Sequence, residues 1–203
     1  NFDYVMFDAT FDEIASKYEF DYIFINIFMP LMKELGILWQ TGAISPSHEH
    51  FITNLVKQKI HIQTELIQRK QAPQQNQKVF VLYLPENEIH ELGILFLNYY
   101  ILAQNYKTIF LGQSLTTESL QTVMTFSDNL TFVTYLTVEP NKEEINDYLK
   151  NFYETILSGS QSNLNILGPL QTFINPSALP PQIKLHPTFE SFRLEFFGEQ
   201  IFV

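Results

Sequence analysis

The sequence predicts an all-α region followed by an α/β domain with a doubly wound parallel sheet. In the first 70 residues, apolar side chains recur at the spacing of amphipathic helices. From residue 78 onward, strand-like and helix-like segments alternate four or five times, which is typical of a parallel sheet with right-handed crossovers. Residues 71–77 between the two regions are polar, rich in Gln and interrupted by Pro73, so we predict a linker there.

The first region, residues 1–70, is predicted to be a bundle of long helices. Apolar residues keep helical spacing from Phe11 to Trp39, and Pro30 is expected to kink or split this stretch. Ser45 is a suitable N-cap and Pro46 would occupy the first helical position, so a further helix should begin there. Such helices, joined by a short turn, bury their apolar faces against one another.

The second region, residues 78–203, is organised around its first strand. Val79–Leu84 is β-branched and aromatic and stops at Pro85, which indicates a buried strand. Because a helix-length apolar segment follows, His90 should lie at the carboxyl end of this strand, where open α/β sheets bind ligands. Strands are also predicted over Thr108–Leu111, Leu130–Val138, Asn163–Leu167 and Gln182–Leu185, and helices over His90–Gln104, Thr116–Phe126, Asn141–Leu157 and Thr188–Phe197.

Composition narrows the function classes. The formal net charge of −10 repels phosphate, so this chain is not expected to bind nucleic acid by itself. The absence of cysteine excludes disulfides and thiolate metal sites and fits a cytoplasmic location. The most apolar early run, Tyr22–Met29, is too short to span a bilayer, and no membrane association is expected. Because the chain begins with Asn, we expect that an N-terminal part is missing.

Motifs of common enzymes are absent from the sequence. It contains no phosphate-binding loop, no G-x-G-x-x-G, no H-E-x-x-H and no nucleophile elbow. The acidic residues fall mostly in the first turns of predicted helices or on solvated faces. We therefore predict a binding module rather than an enzyme, with no catalytic residues.

Each of the two regions contains one short motif. Trp39 is followed, after nine residues, by Glu49-His50, and Glu88-x-His90-x-x-Gly93 follows the predicted linker. This combination resembles the C-terminal cobalamin-binding domain of MerR-type transcriptional regulators, including light-responsive repressors that use adenosylcobalamin. The resemblance covers essentially the whole chain. It implies a Rossmann-like cobalamin-binding domain at residues 78–203 and a helical cap over the upper face of the cofactor at residues 1–70.

The resemblance implies roles for the residues of the second motif. His90 would be the lower axial ligand of cobalt, and Glu88 would hold one ring nitrogen and fix the tautomer. Gly93 would let the backbone approach the flat macrocycle. The alternatives are a turn histidine without a task and a glycine that is merely tolerated at a helix start.

The resemblance also implies a slot beside the sheet for the nucleotide tail of the cofactor. Thr134 on the third strand matches the Ser or Thr that lines this slot in the wider cobalamin-binding fold. Gly168 matches one residue of a Gly-Gly pair after the fourth strand, whereas Leu167 stands in place of the other and is expected to narrow the slot. The alternative for Thr134 is an ordinary strand residue.

The first motif would cover the upper face of the cofactor. By resemblance, Trp39, Glu49 and His50 surround the adenosyl group, with Trp39 as a flat apolar wall and the other two as hydrogen-bonding groups. The alternative for Trp39 is a core aromatic residue at a helix end.

Three functions follow from this interpretation. The first is a cobalamin sensor, with adenosylcobalamin as the expected form, that controls assembly of a homo-oligomer (dimer or tetramer). Contact with DNA would then require an absent N-terminal winged-helix domain. The second is a corrinoid carrier protein of a methyltransferase. The third is a degenerate domain that keeps the fold, binds no corrin and serves in oligomerisation or in sensing another ligand.

Overall fold

A computed structural model of the chain describes residues 2–70 and 78–198. The chain divides into two compact units, a helical unit of residues 1–69 and an α/β unit of residues 70–201. The predicted linker at residues 71–77 lies outside the described residues.

The helical unit begins with a capped helix. Asp3 precedes the first helix, and its side chain accepts a hydrogen bond from the backbone N–H of Met6 at 2.9 Å. The predicted helix start at Pro46 is confirmed. The four α-helices of this unit are α1 (Tyr4–Ala15), α2 (Phe20–Ile23), α3 (Met29–Gln40) and α4 (Pro46–Lys70).

Pro30 does not split the second apolar stretch. A π-helical turn, Phe24–Phe28, joins α2 to α3, and the N–H of Met29 donates to the carbonyl oxygen of Phe24. Such wider turns rearrange helix hydrogen bonds locally, so the chain stays helical from Phe20 to Gln40. By length and composition, this 21-residue helix could cross a membrane, so the apolar segment is longer than the run Tyr22–Met29 identified in the sequence. Core helices of soluble proteins meet the same criterion.

Aromatic side chains form much of the core of the helical unit. Phe11, Phe20, Phe24 and Phe28 are all buried, and the rings of Phe11 and Phe28 stack with centroids 6.0 Å apart. Helix α3, by contrast, contains no buried residue. The apolar stripe that predicted α3 is therefore partly exposed.

The α/β unit contains a five-stranded parallel sheet with the order β2-β1-β3-β4-β5, which confirms the predicted fold class. The first strand is buried along its whole length. The strands are β1 (Val79–Pro85), β2 (Lys107–Leu115), β3 (Leu130–Tyr135), β4 (Asn163–Leu167) and β5 (Ile183–Leu185).

Helices cover both sides of this sheet. The α6/α7 face carries an apolar cluster that includes Leu120 of α6 and Leu149 of α7. The α5/α8 face carries a second cluster that includes Leu97 of α5 and Phe192 of α8. The helices of this unit are α5 (Leu92–Ala103), α6 (Thr117–Met124), α7 (Ile145–Phe152) and α8 (Phe189–Phe197), with a π-helical turn at Tyr153–Leu157 and short 3₁₀ turns at Pro169–Phe173 and Pro176–Ala178.

Candidate corrin-binding site

The loop after β1 brings Glu88 back into the protein. The strand ends at Pro85, whose carbonyl oxygen accepts from the N–H of Glu88 at 3.0 Å. Asn87 adopts a positive φ of 66°, and its N–H donates to the hydroxyl of Ser114 on β2 at 3.1 Å. This tight turn reverses the chain, so the side chain of Glu88 is fully buried.

One carboxylate oxygen of Glu88 holds a distant loop. Its Oε2 atom accepts hydrogen bonds from the backbone N–H groups of Thr137, Val138 and Glu139 at 3.0, 2.7 and 3.0 Å. These three amides follow directly after β3. Strand β3 therefore ends at Tyr135 rather than at the predicted Val138, because the next amides turn towards the carboxylate.

The other oxygen of Glu88 holds His90. Its Oε1 atom accepts from the backbone N–H of His90 at 2.8 Å and lies 2.6 Å from the Nδ1 atom of the ring. A carboxylate can only accept, so Nδ1 carries a proton, and in the neutral ring Nε2 then holds the lone pair. Half of the His90 side chain is exposed (53%), and its Nε2 atom has no hydrogen-bond partner among the described residues. This tautomer is the one required to bind a metal through Nε2.

The pKa of Glu88 reflects two opposing effects. Burial by itself raises the pKa of the carboxyl. The backbone N–H groups of Val138, Glu139 and His90, together with the His90 ring, stabilise the charged form and outweigh burial, so the pKa lies below its ordinary value. Glu88 is consequently a carboxylate near neutral pH and can orient the imidazole permanently.

Gly93 is enclosed by a neighbouring aromatic ring. A Cβ atom at this position would lie 2.8 Å from three ring atoms of Tyr135. The sequence suggested that this glycine lets a macrocycle approach the backbone. In the structure it is the Tyr135 side chain that requires glycine here.

Thr134 lies on the α6/α7 face of the sheet, not on the α5/α8 face where Gly93 and Tyr135 meet. In the β3–β4 register it pairs with Ile166, which belongs to the apolar cluster of the α6/α7 face. Alternation of side chains along the strand places Tyr135 on the α5/α8 face, beside its register partner Leu167. The Thr134 hydroxyl is buried and has no hydrogen-bond partner among the described residues. The role of Thr134 in lining the nucleotide slot stays a prediction.

Gly168 is required by the backbone. Its φ is +99°, and a Cβ atom would lie 2.3 Å from the carbonyl oxygen of Leu136. The glycine thus allows the loop after β4 to pack directly on the residue that follows β3. The role of Gly168 in lining the nucleotide slot stays a prediction.

The three residues of the first motif lie near the turn between α3 and α4 of the helical unit. Trp39 is in the last turn of α3 and is half exposed (50%). Glu49 is in the first turn of α4 and accepts a hydrogen bond from the hydroxyl of Thr53. The His50 side chain is largely exposed (74%), and its Nε2 atom is 3.9 Å from Glu49, beyond hydrogen-bond distance. These groups are accessible, but few contacts fix their conformations.

A cavity of about 420 Å³ opens on the α6/α7 side of the loop after β1. Its lining contains Tyr148, whose hydroxyl is 2.6 Å from the hydroxyl of Tyr83, and burial raises the pKa of both phenols. No Lys or Arg lines the cavity, whereas five carboxylates do: Glu86, Glu118, Glu139, Glu144 and Asp147. Sequence reasoning missed this cavity because its acidic residues were interpreted as parts of separate solvated faces.

The residues of the α/β unit fit a corrin at one point and not at another. A half-exposed imidazole with a fixed tautomer and a free lone pair fits the lower face of cobalt. In the described residues, no group of three or more His, Cys, Asp or Glu side chains could hold a metal ion. Beside Leu167 and Gly168, in contrast, the described residues pack closely, since Leu167 is 2% exposed and a Cβ atom at Gly168 would meet the Leu136 backbone.

Comparisons with known proteins concern the N-terminal residues and the fold. Residues 1–62 match a family model described as a B12 binding domain. The fold is similar to that of the monomethylamine corrinoid protein of Methanosarcina barkeri, with 12% identity, a TM-score of 0.63 and coverage of 81% of this chain and 76% of that chain.

Two further solved structures are similar at lower scores. A cobalamin-binding protein of Desulfitobacterium hafniense shows 12% identity and a TM-score of 0.40, over 85% of this chain and 83% of that chain. The methanol:cobalamin methyltransferase complex of Methanosarcina barkeri shows 14% identity and a TM-score of 0.44, over 81% of this chain and 61% of that chain. No curated protein matches the sequence significantly. Residues 1–62 thus match a B12 binding domain, and the helical N-terminal part and parallel sheet have the Rossmann-like fold of a corrinoid protein.

Proposed function

We propose that this protein binds a corrinoid and that His90 is the lower axial ligand of its cobalt. The observation that carries the proposal is the buried Glu88 carboxylate, which holds the Nδ1–H of a half-exposed His90 and leaves Nε2 free. The match of residues 1–62 to a B12 binding domain supports the same ligand class. A bound corrinoid would supply the cobalt chemistry, and the protein would orient the ligand and control its exposure.

Electron paramagnetic resonance of the cobalt(II) corrinoid tests this assignment. Protein labelled with ¹⁵N-histidine is mixed with cob(II)alamin and, separately, with cob(II)inamide, which has no nucleotide. Coordination by a labelled imidazole changes the splitting from the triplet of ¹⁴N to the doublet of ¹⁵N. We expect the doublet in the wild-type protein and its loss in His90→Ala.

A matched variant and two contrary outcomes complete the test. His61→Ala alters an exposed histidine of α4 and should leave the doublet unchanged. A doublet that persists in His90→Ala would assign the ligand to another histidine. Failure of both corrinoids to bind would overturn the proposal and favour a domain that keeps the fold without the cofactor.

We propose further that corrinoid binding serves regulation, as in the ligand-sensing domain of a MerR-type transcriptional regulator. The accessible Trp39, Glu49 and His50 support this role, because an upper-face group of this kind would distinguish adenosylated from other corrinoids. Ligand binding would change self-association, and contact with DNA would belong to a winged-helix domain outside this chain. A ligand shifts the assembly equilibrium only by the difference between its binding free energies for the two oligomeric states.

A second candidate is a corrinoid carrier of methyl groups, which the fold similarity to the monomethylamine corrinoid protein favours. Analytical ultracentrifugation separates the two proposals. A sensor should change its oligomeric state when adenosylated corrinoid is added, and again after illumination if breakage of the cobalt–carbon bond is the signal. A carrier should keep one state and instead transfer a methyl group from its methylated corrinoid to a thiol acceptor in the presence of a methyltransferase.

A further inference from the structure

Among the described residues of the α/β unit, neither face of the sheet has space that suits the nucleotide tail of cobalamin. The tail consists of a phosphodiester, a ribose and a benzimidazole base, and it hangs from the corrin ring below cobalt. Once His90 occupies the lower position of cobalt, the base is displaced and must be placed beside the sheet. Only two sides of the sheet are available, and each excludes the tail for a different physical reason.

The α5/α8 face is closed by packed side chains. Tyr135 and Leu167 are register partners at the carboxyl ends of β3 and β4, and the Tyr135 ring also fills the space over Gly93. Below them, none of the buried apolar residues in the cluster on this face is more than 2% exposed. Phe80 and Phe196 continue the packing with ring centroids 5.3 Å apart. A protein interior packed in this way has no room for a group as large as a nucleotide.

Two buried polar side chains on the same face are already paired with each other. Asn165 and His186, both buried, are joined by a hydrogen bond of 2.9 Å between Oδ1 and Nε2. The amide nitrogen of Asn165 also donates to Asn163 at 2.7 Å. These groups therefore offer no unsatisfied partner to a ribose or a phosphate.

The α6/α7 face has an open cavity, but the residues that line it are negatively charged. The cavity of about 420 Å³ on this side is lined by five carboxylates and by no basic residue. A phosphodiester carries a negative charge, so placing it among these carboxylates is electrostatically unfavourable. At the carboxyl ends of β3 and β4, the Gly168 backbone packs directly on the Leu136 backbone.

We propose that this protein binds corrinoids without the lower nucleotide, such as cobinamide, in preference to complete cobalamin. The inference rests on the proposed function, since it specifies which corrinoid His90 binds. Tyr135 and Leu167 are the residues that determine this specificity, because together they occupy the entrance of the slot beside Gly93. Their removal should make room for the tail.

Titration of the full chain with hydroxocobalamin and with diaquacobinamide, followed by visible absorption, tests the inference. We expect tighter binding of diaquacobinamide by the wild-type protein. Cobinamide also lacks the internal base that competes with a histidine, so the decisive quantity is the change in the affinity ratio between variants. In Leu167→Ala and in Tyr135→Ala, this ratio should shift towards hydroxocobalamin, on the order of tenfold.

Leu164→Ala is the matched control, because Leu164 lies on the same strand but in the cluster of the α6/α7 face. It loses the same atoms and should leave the affinity ratio unchanged. Tyr135 is only partly buried, so Tyr135→Ala keeps the test valid if Leu167→Ala does not fold.

Three outcomes would count against the inference. Equal or tighter binding of hydroxocobalamin by the wild-type protein would overturn the preference. A ratio that stays constant in Leu167→Ala and Tyr135→Ala, or that shifts equally in Leu164→Ala, would overturn the role of the slot entrance. If neither corrinoid binds, the proposed function itself fails, which is a result distinct from the other two.

Discussion

The two groups of candidate corrin-binding residues differ in how firmly the protein holds them. Glu88 is fully buried, and its two carboxylate oxygens contact five hydrogen-bond donors that fix both His90 and the loop after β3. Trp39 and His50 are at least half exposed, and Glu49 is held by a single hydroxyl group. His90 is therefore held in one orientation without a cofactor, whereas Trp39, Glu49 and His50 keep conformational freedom that they would lose on binding a ligand.

This difference has a functional consequence. A metal-coordinating side chain that is held in one tautomer and one orientation loses little entropy when a corrinoid binds. Loosely held side chains adapt to different upper ligands at a larger entropic cost. In the proposed function, His90 thus supplies affinity for the corrin, and the residues of the helical unit discriminate among its upper ligands.

Replacement of Glu88 by alanine should have the largest effect on stability. The change leaves the buried N–H groups of Thr137, Val138 and Glu139 without an acceptor, so we expect a loss of about 2–4 kcal/mol in the free energy of unfolding. Urea denaturation followed by circular dichroism measures it. Glu86→Ala, an exposed neighbour, should change the free energy by less than about 0.5 kcal/mol. Similar losses in both variants would contradict the described network.

Replacement of a glycine by alanine should lower the free energy of unfolding in the α/β unit and raise it in the helical unit. In Gly93→Ala the new methyl group meets the Tyr135 ring at 2.8 Å, which should cost about 1–3 kcal/mol. In Gly36→Ala the methyl group of an α3 residue meets nothing within 4 Å, and the higher helix propensity of alanine should stabilise by about 0.5–1 kcal/mol.

A double variant identifies the cause of the first effect. If the Tyr135 ring is responsible, Gly93→Ala should cost much less in a Tyr135→Ala background than in the wild-type protein, which a double-mutant cycle measures. Full additivity of the two changes would show that Gly93 is required for another reason.

Local parts of this architecture could be predicted from the sequence, and long-range parts could not. The bounds of β4 are those predicted, and the pairing of Glu88 with His90 follows from residues two positions apart. The amides that hold the other oxygen of Glu88 are 49 to 51 residues further along the chain, and no short-range pattern signals them. The same contact explains why β3 is shorter than predicted.

Side-chain direction within the candidate site could not be predicted from the sequence. Along a strand, neighbouring residues point to opposite faces, so an error of one position moves a residue to the other side of the sheet. The resemblance implies that Thr134 lines the slot, and the register with β4 adds which face each residue occupies, with Thr134 on the α6/α7 face and Tyr135 on the α5/α8 face. The apolar pattern of this central strand is nearly continuous and does not distinguish its two faces.

The charge of Glu88 should make a smaller contribution to the free energy of unfolding, and this contribution should depend on pH. The pKa of folded Glu88 lies below its ordinary value, because backbone and ring N–H groups outweigh the cost of burial. The stabilisation is therefore present above the ordinary pKa and is lost as the pH falls through the lowered pKa of the folded state. The difference in unfolding free energy between the wild-type protein and Glu88→Gln should thus be constant near neutral pH and shrink in strong acid.

The matched measurement uses Glu86→Gln, whose stability should follow that of the wild-type protein at every pH. A difference between the wild-type protein and Glu88→Gln that grows on acidification would mean that the pKa of Glu88 is raised. That result would contradict the hydrogen-bond pattern around the carboxylate.

Replacement of Trp39 by alanine should have the smallest effect on stability and a distinct effect on ligand preference. Because half of the side chain is exposed, the free energy of unfolding should fall by about 1 kcal/mol or less. If the indole forms the wall of the upper-ligand site, the ratio of affinities for adenosylated and methylated corrinoid should move towards one. Leu38→Ala, a neighbour that is 40% exposed, should keep the wild-type ratio. An unchanged ratio in Trp39→Ala would remove the helical unit from ligand discrimination and leave His90 as the determinant of binding, which is the behaviour expected of a carrier rather than of a sensor.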